Sequence, residues 1–314
     1  MTRDRLGCPL IPTFPEFKPL EIADRPAFES YTSGFVPYSE YNFVGLWCWN
    51  INNNVALSSI GRNLVVKFDN GPVSGSYLSF LGRENISHTI DQLLVAAEEL
   101  STSLKSVPAC FELTDELKNL YLFEFDRNNF DYVFSTVALS TLNGNLYRSQ
   151  RRLARRFERG HDCHVLPLDL RSSYVQSRVV EVTALWQQQK GTSSVLDEVK
   201  AIQRALEIAE DAKLRGLGVW LKDRLLGFVI FELLRDRWSV AYFEKTDTTV
   251  LGTSQFMKQR LGGALHAFGS DLVNFEEDLG LEGLRRAKLS YRPQFLLEKY
   301  AIRRCASYAI SYEG

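Results

Sequence analysis

The sequence of 314 residues is 45% hydrophobic and 24% charged, and 37 Lys and Arg against 38 Asp and Glu leave a formal net charge of −1. These figures describe an ordinary globular chain long enough for two domains. They exclude a generally basic binder of nucleic acid or membrane surfaces, so any anion-binding face has to be a local patch. Five cysteines (Cys8, Cys48, Cys110, Cys163 and Cys305) carry no Cys-x-x-Cys pair, which fits reduced thiols better than a disulfide framework. The first residues, MTRDRLGCPLIPTFPEF, lack the unbroken apolar core of a signal peptide. The longest apolar run, Leu225 to Leu234, is interrupted by Glu232, so a soluble, cytoplasmic chain without a transmembrane segment is expected.

In the first half, Ala56 to Asp69 and Ser76 to Leu81 read as strands around Gly61, Asn70 and Gly71. A helix is predicted from Ile86 to Leu100, with a β-rich run near Ala109 to Leu113. Residues 147–159 then carry a basic helix: Arg148, Arg152, Arg155 and Arg159 form one stripe, with Arg151 beside it, and Leu146, Leu153 and Phe157 lie roughly opposite. Guanidinium groups bind phosphate in bidentate fashion, so Arg148, Arg151, Arg152 and Arg155 are phosphate-binding candidates, with a solvated helix face as the rival reading. His161-Asp162-Cys163-His164 has no second ligand pair at a fitting distance and reads as a surface turn rather than a metal site. Gly-x-Ser-x-Gly, Walker and His-Glu-x-x-His motifs are missing, so serine hydrolase, P-loop nucleotidase and zincin chemistries lack their central residues.

The second half opens with two helical patterns, Tyr174 to Lys190 and Leu196 to Ala212. Three β-rich runs follow, Gly218 to Leu221, Leu225 to Leu234 and Trp238 to Glu244, separated by turn-like Lys-Asp-Arg and Arg-Asp-Arg. A helix from Ser254 to Phe268, a short strand at Asp271 to Phe275, a helix from Leu281 to Tyr291 and a closing strand near Tyr300 to Ile310 complete the order. The densest chemistry lies at 274–300, NFEEDLGLEGLRRAKLSYRPQFLLEKY. Acidic Glu276, Glu277 and Asp278 run into Gly280, a short amphipathic helix carries Arg285, Arg286 and Lys288, and Pro293 stops it. An N-capping Asp278 and dipole-complementing basic residues are the structural reading of the same pattern.

That segment is similar to the C-terminal motif of a bacterial family related to the soluble domain of phosphatidylglycerol lysyltransferases. The positions that match are Asn274, Glu276, Asp278, Leu279, Gly280, Gly283, Leu284, Arg285, Ala287, Lys288, Ser290, Tyr291, Pro293, Lys299 and Tyr300. Tyr41 to Phe43 through Trp49, and Asp131 to Val133 followed by Tyr147 and Arg151, resemble the family's other signatures. The family usually shows Lys-Arg-Asn where this chain has Gln150-Arg151-Arg152, so a role tied to that Asn is not carried over. The resemblance implies an α+β protein of two tandem acetyltransferase-like (GNAT) domains, each a mixed, mostly antiparallel sheet flanked by helices, here divided as 1–165 and 166–314. It also implies an aminoacyltransferase that takes its group from charged tRNA and delivers it to a lipid headgroup or a small amine or hydroxyl. An acyl-CoA-dependent N-acyltransferase and a silent binding protein of the same fold are the alternatives. No cofactor is firmly expected, with a coenzyme A thioester belonging to the first alternative.

Such a transfer needs a held donor ester, removal of the acceptor's proton and stabilisation of a tetrahedral oxyanion. Glu244 and Asp278 are the candidates for proton removal or for gripping a substrate ammonium, and Tyr291 for protonating the leaving group. Arg285 and Lys288, three apart on one helix face, are placed to hold a phosphate or carboxylate. Asn274, Glu276 and Gly252 complete the substrate-binding set. Gly252 lies in Thr249-Val-Leu-Gly-Thr-Ser254, where acyl-CoA-dependent relatives of the fold aim backbone N–H groups at a pyrophosphate, and Thr249 stands where Gln or Arg would be expected. Lys245 should point to the face of its strand opposite Glu244. Arg285→Ala and Asp278→Asn are expected to abolish transfer with little change in melting temperature.

Overall fold

The structure, a computed structural model, describes residues 11–71, 75–190 and 197–305. The described residues form two compact units, one running up to Phe130 and resuming at Leu297, the other from Asp131 to Leu296, so the chain passes between them twice. The first unit contains β1 (Lys18–Pro19), α1 (Arg25–Thr32), α2 (Phe43–Trp49), β2 (Val55–Ile60), β3 (Asn63–Gly71), β4 (Gly75–Leu81), α3 (Ile86–Glu99), β5 (Leu104–Pro108), α4 (Asp115–Leu120) and β6 (Tyr121–Phe125). The second runs from β7 (Asp131–Ser135) through α5 (Thr136–Thr141), α6 (Arg148–Gly160), β8 (Cys163–Leu168), α7 (Ser173–Lys190), α8 (Glu198–Glu207), β9 (Arg215–Leu221), β10 (Arg224–Leu233), β11 (Trp238–Thr246), α9 (Thr253–Ala267), β12 (Leu272–Asn274) and α10 (Glu282–Ser290) to β13 (Phe295–Leu297). The last strand, β14 (Lys299–Arg304), returns to the first unit.

Among the described residues each unit holds one seven-stranded sheet, ordered β1-β2-β3-β4-β5-β14-β6 and β8-β9-β10-β11-β12-β7-β13. The two orders are the same construction written twice. Four strands pair antiparallel in sequence, the fourth pairs parallel with the fifth, and a strand from the other half of the sequence enters between the fifth and sixth. Two helices separate the first strand from the second, one crosses from fourth to fifth as a parallel connection requires, and one precedes the sixth. This is the α+β, acetyltransferase-like architecture, with each half supplying its final strand, β7 or β14, to the other half's sheet.

Both sheets are covered by their own cores. In the second unit, Val229, Phe231, Ala241 and Val273 of the sheet pack with Phe256, Met257, Leu261 and Leu265 of α9. In the first, Val65, Leu78, Phe80 and Val107 pack with Ile90, Leu93 and Leu94 of α3. β10 is buried from Leu225 to Glu232, the continuous pattern of a strand covered on both faces, and its one carboxylate, Glu232, accepts a 2.6 Å hydrogen bond from the Tyr242 hydroxyl. The predicted elements of the second half agree with the observed ones within a few residues, except that Leu196 and the residues beyond 305 lie outside the described residues. The β-rich run near 109–113 is displaced: the strand is β5, which ends at Pro108, and Ala109 donates to the Glu298 carbonyl instead. Cys163 and His164 begin the edge strand β8 rather than a turn, and Cys8 is not among the described residues.

Candidate active site

The second sheet splits where its parallel pair diverges. β11 pairs with β12 only from Trp238 to Val240, while β11 itself continues to Thr246. After Asn274 the chain turns away: the Asn274 side chain accepts the Glu276 N–H at 2.7 Å, and Glu276 adopts a positive φ of 58°. On the far stretch of β11, pleating sends adjacent side chains to opposite faces. Lys245 meets Glu198 of α8 at 2.9 Å and lies 4.3 Å from the Trp186 ring centre, whereas Glu244 meets Lys258 of α9 at 2.5 Å. The Lys258 ammonium also lies 4.0 Å from the centre of the Phe275 ring and 5.2 Å from that of Tyr291. The Tyr291 hydroxyl is buried and has no hydrogen-bond partner among the described residues. Burial, and then the Glu244 carboxylate, raise its pKa well above the ordinary phenol range, so the group keeps its proton at neutral pH.

A rigid frame holds this cluster. Asp278 is fully buried, accepts from the Tyr132 hydroxyl at 2.5 Å and from the Gly280 N–H at 2.8 Å, and takes a bidentate pair of 2.8 Å bonds from Arg285. Burial works against its charge, yet the hydrogen bonds from Arg285, Tyr132 and Gly280 outweigh it and hold the carboxyl below its ordinary range. Lys288, one turn along α10, donates to the carbonyls of Phe275, Glu276 and Glu277. Asn274 is buried and bonds Asp131 at 3.1 Å. No residue of α10 is buried, so two cations rather than an apolar stripe fasten this helix to the sheet. Asp278, expected as a base, and Arg285 and Lys288, expected as an anion grip, engage one another and nearby backbone groups in shaping the 274–291 segment, which presents Tyr291.

The start of α9 is closed. Gly252 has a φ of +95°, and a Cβ there would lie 2.4 Å from the Leu153 carbonyl oxygen, because α6 lies across the helix entrance. Thr249 is used inside the loop, donating through N–H and hydroxyl to the buried Asp247, which also accepts from Gln189 and Arg224. The pyrophosphate cradle expected at 249–254 is thus filled by protein, and Gly252 serves packing. α6 buries Ala154 and Phe157, while Leu146 lies outside the helix and is 65% exposed. Arg151 separates from its neighbours, capping carbonyls of Leu142 and Gly144, whereas Arg148, Arg152 and Arg155 are exposed. Glu244 and Tyr291 are therefore brought together, Asn274, Glu276, Asp278, Arg285 and Lys288 surround them as a frame, and Gly252 with the arginines belongs to α6 and its contact. Lys258 was missed by sequence reasoning. Its signal is that it shares the inward spacing of Leu261, Gly262 and Leu265, where a charged residue needs a buried partner.

Fold and cluster define a two-sheet acetyltransferase-like protein whose ionisable groups gather at the split of the second sheet. Residues 35–303 match the family model described as phosphatidylglycerol lysyltransferase, C-terminal, and the chain belongs to that family. An uncharacterized protein of Mycoplasmoides gallisepticum is 20% identical over 174 residues, 55% of this chain and 56% of that protein, so the chain spans about half the length of the curated relative it matches. A conserved protein of unknown function from Bacteroides thetaiotaomicron has a similar structure, with a TM-score of 0.75 and 22% identity over 91% of this chain and 98% of that one. L-PGS from Bacillus licheniformis shares the fold at a TM-score of 0.57 and 16% identity, over 90% and 92% of the two chains. No helix among the described residues is long and apolar enough to cross a membrane.

Proposed function

We propose that the chain is an aminoacyltransferase that moves an aminoacyl group from charged tRNA to a lipid headgroup or a small amine or hydroxyl acceptor, at Glu244, Lys258 and Tyr291. The observation that carries this reading is the buried Tyr291 hydroxyl, without a partner among the described residues, beside the Glu244–Lys258 pair. An orphaned buried hydroxyl costs about 1–3 kcal/mol, a cost that a substrate atom would relieve. Glu244 takes the proton of the acceptor as its nitrogen or oxygen attacks the ester carbonyl. Lys258, held 2.5 Å from Glu244, supplies positive charge near the developing oxyanion. Tyr291 gives its proton to the ribose oxygen as the carbon–oxygen bond to the donor breaks. No covalent enzyme intermediate is needed. Family membership supports an aminoacyl donor, and the closed start of α9 argues against a coenzyme A thioester in the second unit.

The test is discharge of a labelled mixed pool of aminoacyl-tRNAs, with extracted lipids and polar metabolites as acceptors. Label should reach a lipid or amine fraction with the wild type and fall about 100-fold or more with Glu244→Gln. Equal discharge by both proteins rejects the assignment.

A further inference from the structure

We propose that Lys288 is a charge-dependent latch on the candidate site: its ammonium holds the Phe275–Glu277 turn in the shape that seats Phe275 against Lys258, and transfer slows when that charge is lost. The latch rests on the aminoacyltransferase reading only for the activity it controls. The Lys288 Nζ donates to three successive carbonyls, those of Phe275 at 2.6 Å, of Glu276 at 3.0 Å and of Glu277. An ammonium carries three donors and no acceptor, so every proton is used. Lys245, Lys258 and Lys299, also withdrawn from solvent, instead meet the carboxylates of Glu198, Glu244 and Glu40. Among the described residues Lys288 has no carboxylate within ion-pair distance, and its bonds go to main-chain oxygens alone. Removing one proton leaves two donors for three carbonyls and turns a lone pair toward one of them, so the geometry itself makes the hold depend on charge.

The turn needs such a hold. Glu276 at its centre has a φ of 58° and Leu279 one of 54°, the left-handed region that residues with a side chain keep only where surrounding contacts fix them there. The Phe275 N–H donates to the Tyr132 carbonyl at 3.0 Å and the Glu276 carbonyl accepts the Tyr132 N–H at 3.1 Å, which extends the pairing of β12 with β7 into the turn. The Phe275 ring lies 4.0 Å from the Lys258 ammonium, the partner of Glu244, so a shift of the turn reaches the cluster in one step. The charged groups around Lys288 come from three elements. Glu276 and Glu277 on the turn and Asp131 on β7 favour its charge, Lys258 on α9 opposes it, and the Tyr132 ring of β7 lies 5.5 Å away. Arg285 on its own helix is engaged by Asp278. Burial outweighs the carboxylates and brings the Lys288 pKa down to about 8. Loosening and unfolding then run in opposite directions. The unfolded lysine, near 10.5, keeps its proton longer, so global stability rises with pH between about 8 and 10.5 while the turn loses a bond.

The experiment follows the full chain between about pH 6.5 and 9.5 beside Lys288→Met, a neutral side chain of similar length, and Lys288→Arg, which stays charged throughout. Lysine Cε resonances, assigned by their loss in Lys288→Met, should show the proton leaving with a midpoint near 8. Amide protection at Phe275 and Tyr132, corrected for the intrinsic pH dependence of exchange, should fall about fivefold across that midpoint in the wild type and stay low at every pH in Lys288→Met. The wild-type melting temperature should rise relative to that of Lys288→Met above the same midpoint. With uncatalysed ester hydrolysis subtracted, kcat should fall along the midpoint by about fivefold or more, whereas Lys288→Met should be slow throughout and lack the alkaline limb. A Lys288→Arg protein that melts like the wild type should transfer without the limb. Titration of Lys288 near its ordinary value of 10.5, protection that stays constant as its proton leaves, or a limb that persists in Lys288→Met overturns the proposal. Loosening at the midpoint in a protein that transfers nothing leaves the latch standing and removes the aminoacyltransferase reading instead.

Discussion

The two units share one strand order, yet they treat the helix after the fourth strand in opposite ways. In the first unit the link into α3 is organised by a side chain: Asn63 donates to the Glu84 carbonyl and the Thr89 hydroxyl and accepts the Glu84 N–H. Gly82 passes so close that a Cβ would fall 1.8 Å from the Asn63 carboxamide oxygen. The helix start borders a cavity of about 970 Å³ lined by Arg83, Ser87, His88, Cys110 and Glu112 among others. In the second unit the equivalent start, at Gly252, is covered by α6, and the ionisable cluster lies instead at the split between β11 and β12. Topology thus fixes where a helix N-terminus points, while one neighbouring side chain or helix decides whether anything can reach it.

The sharpest test of the second unit's frame is Asp278→Asn, which leaves Arg285 and Tyr132 facing an amide in a buried place. Unfolding free energy should fall by about 3 kcal/mol, as for other broken buried pairs, measured by urea denaturation. Its pH dependence has a definite sign. A carboxyl held below its unfolded value contributes stability above that value, near 3.8, and loses it as pH falls through the lower folded one, so the gap between wild type and variant should close below about pH 4. An unchanged midpoint would return Asp278 to the role of a base. Next in size is Gly252→Ala, which adds a left-handed alanine to a collision with the Leu153 carbonyl and should cost about 2–3 kcal/mol while loosening α6, read as faster amide exchange there. Gly82→Ala in the first unit should cost less, about 1–2 kcal/mol, because the Asn63 side chain can rotate away and lose only its hydrogen bonds. Equal costs would mean that the two entrances are closed alike.

Element order was legible because it rests on short-range pattern: the apolar runs of β9 to β11 and the helical spacing of α7 and α9 carry their own period. The strand exchange was not, since nothing within Asp131–Ser135 or Lys299–Arg304 states which sheet will accept it. In the site, the 274–300 motif points to the segment that carries Tyr291, but the partners of its charged members were not legible. Charge density reads the same whether a carboxylate is free to act or saturated, and only the partners of Asp278, one of them Tyr132 at the far end of a 146-residue separation, distinguish the two. Lys258 escaped because a single lysine within an apolar stripe gives no motif, although its position there is the mark of a buried pair.

The smallest stability effect belongs to the residue with the largest expected functional one. Tyr291→Phe removes a buried hydroxyl that has no hydrogen-bond partner among the described residues, so the unfolding free energy should not fall, and relief of the unpaired group should raise it by about 1 kcal/mol. Transfer should fall by roughly 10²-fold or more if the phenol protonates the leaving oxygen. The split between kcat and KM tells what the hydroxyl does: a fall in kcat alone places it on the leaving group, while a rise in KM alone makes it a contact equally strong before and during reaction. A variant that loses stability as well would show that the hydroxyl has a protein partner after all, and the cluster at the sheet's split would then be an extension of the Asp278 frame with Glu244 and Lys258 as one more buried pair.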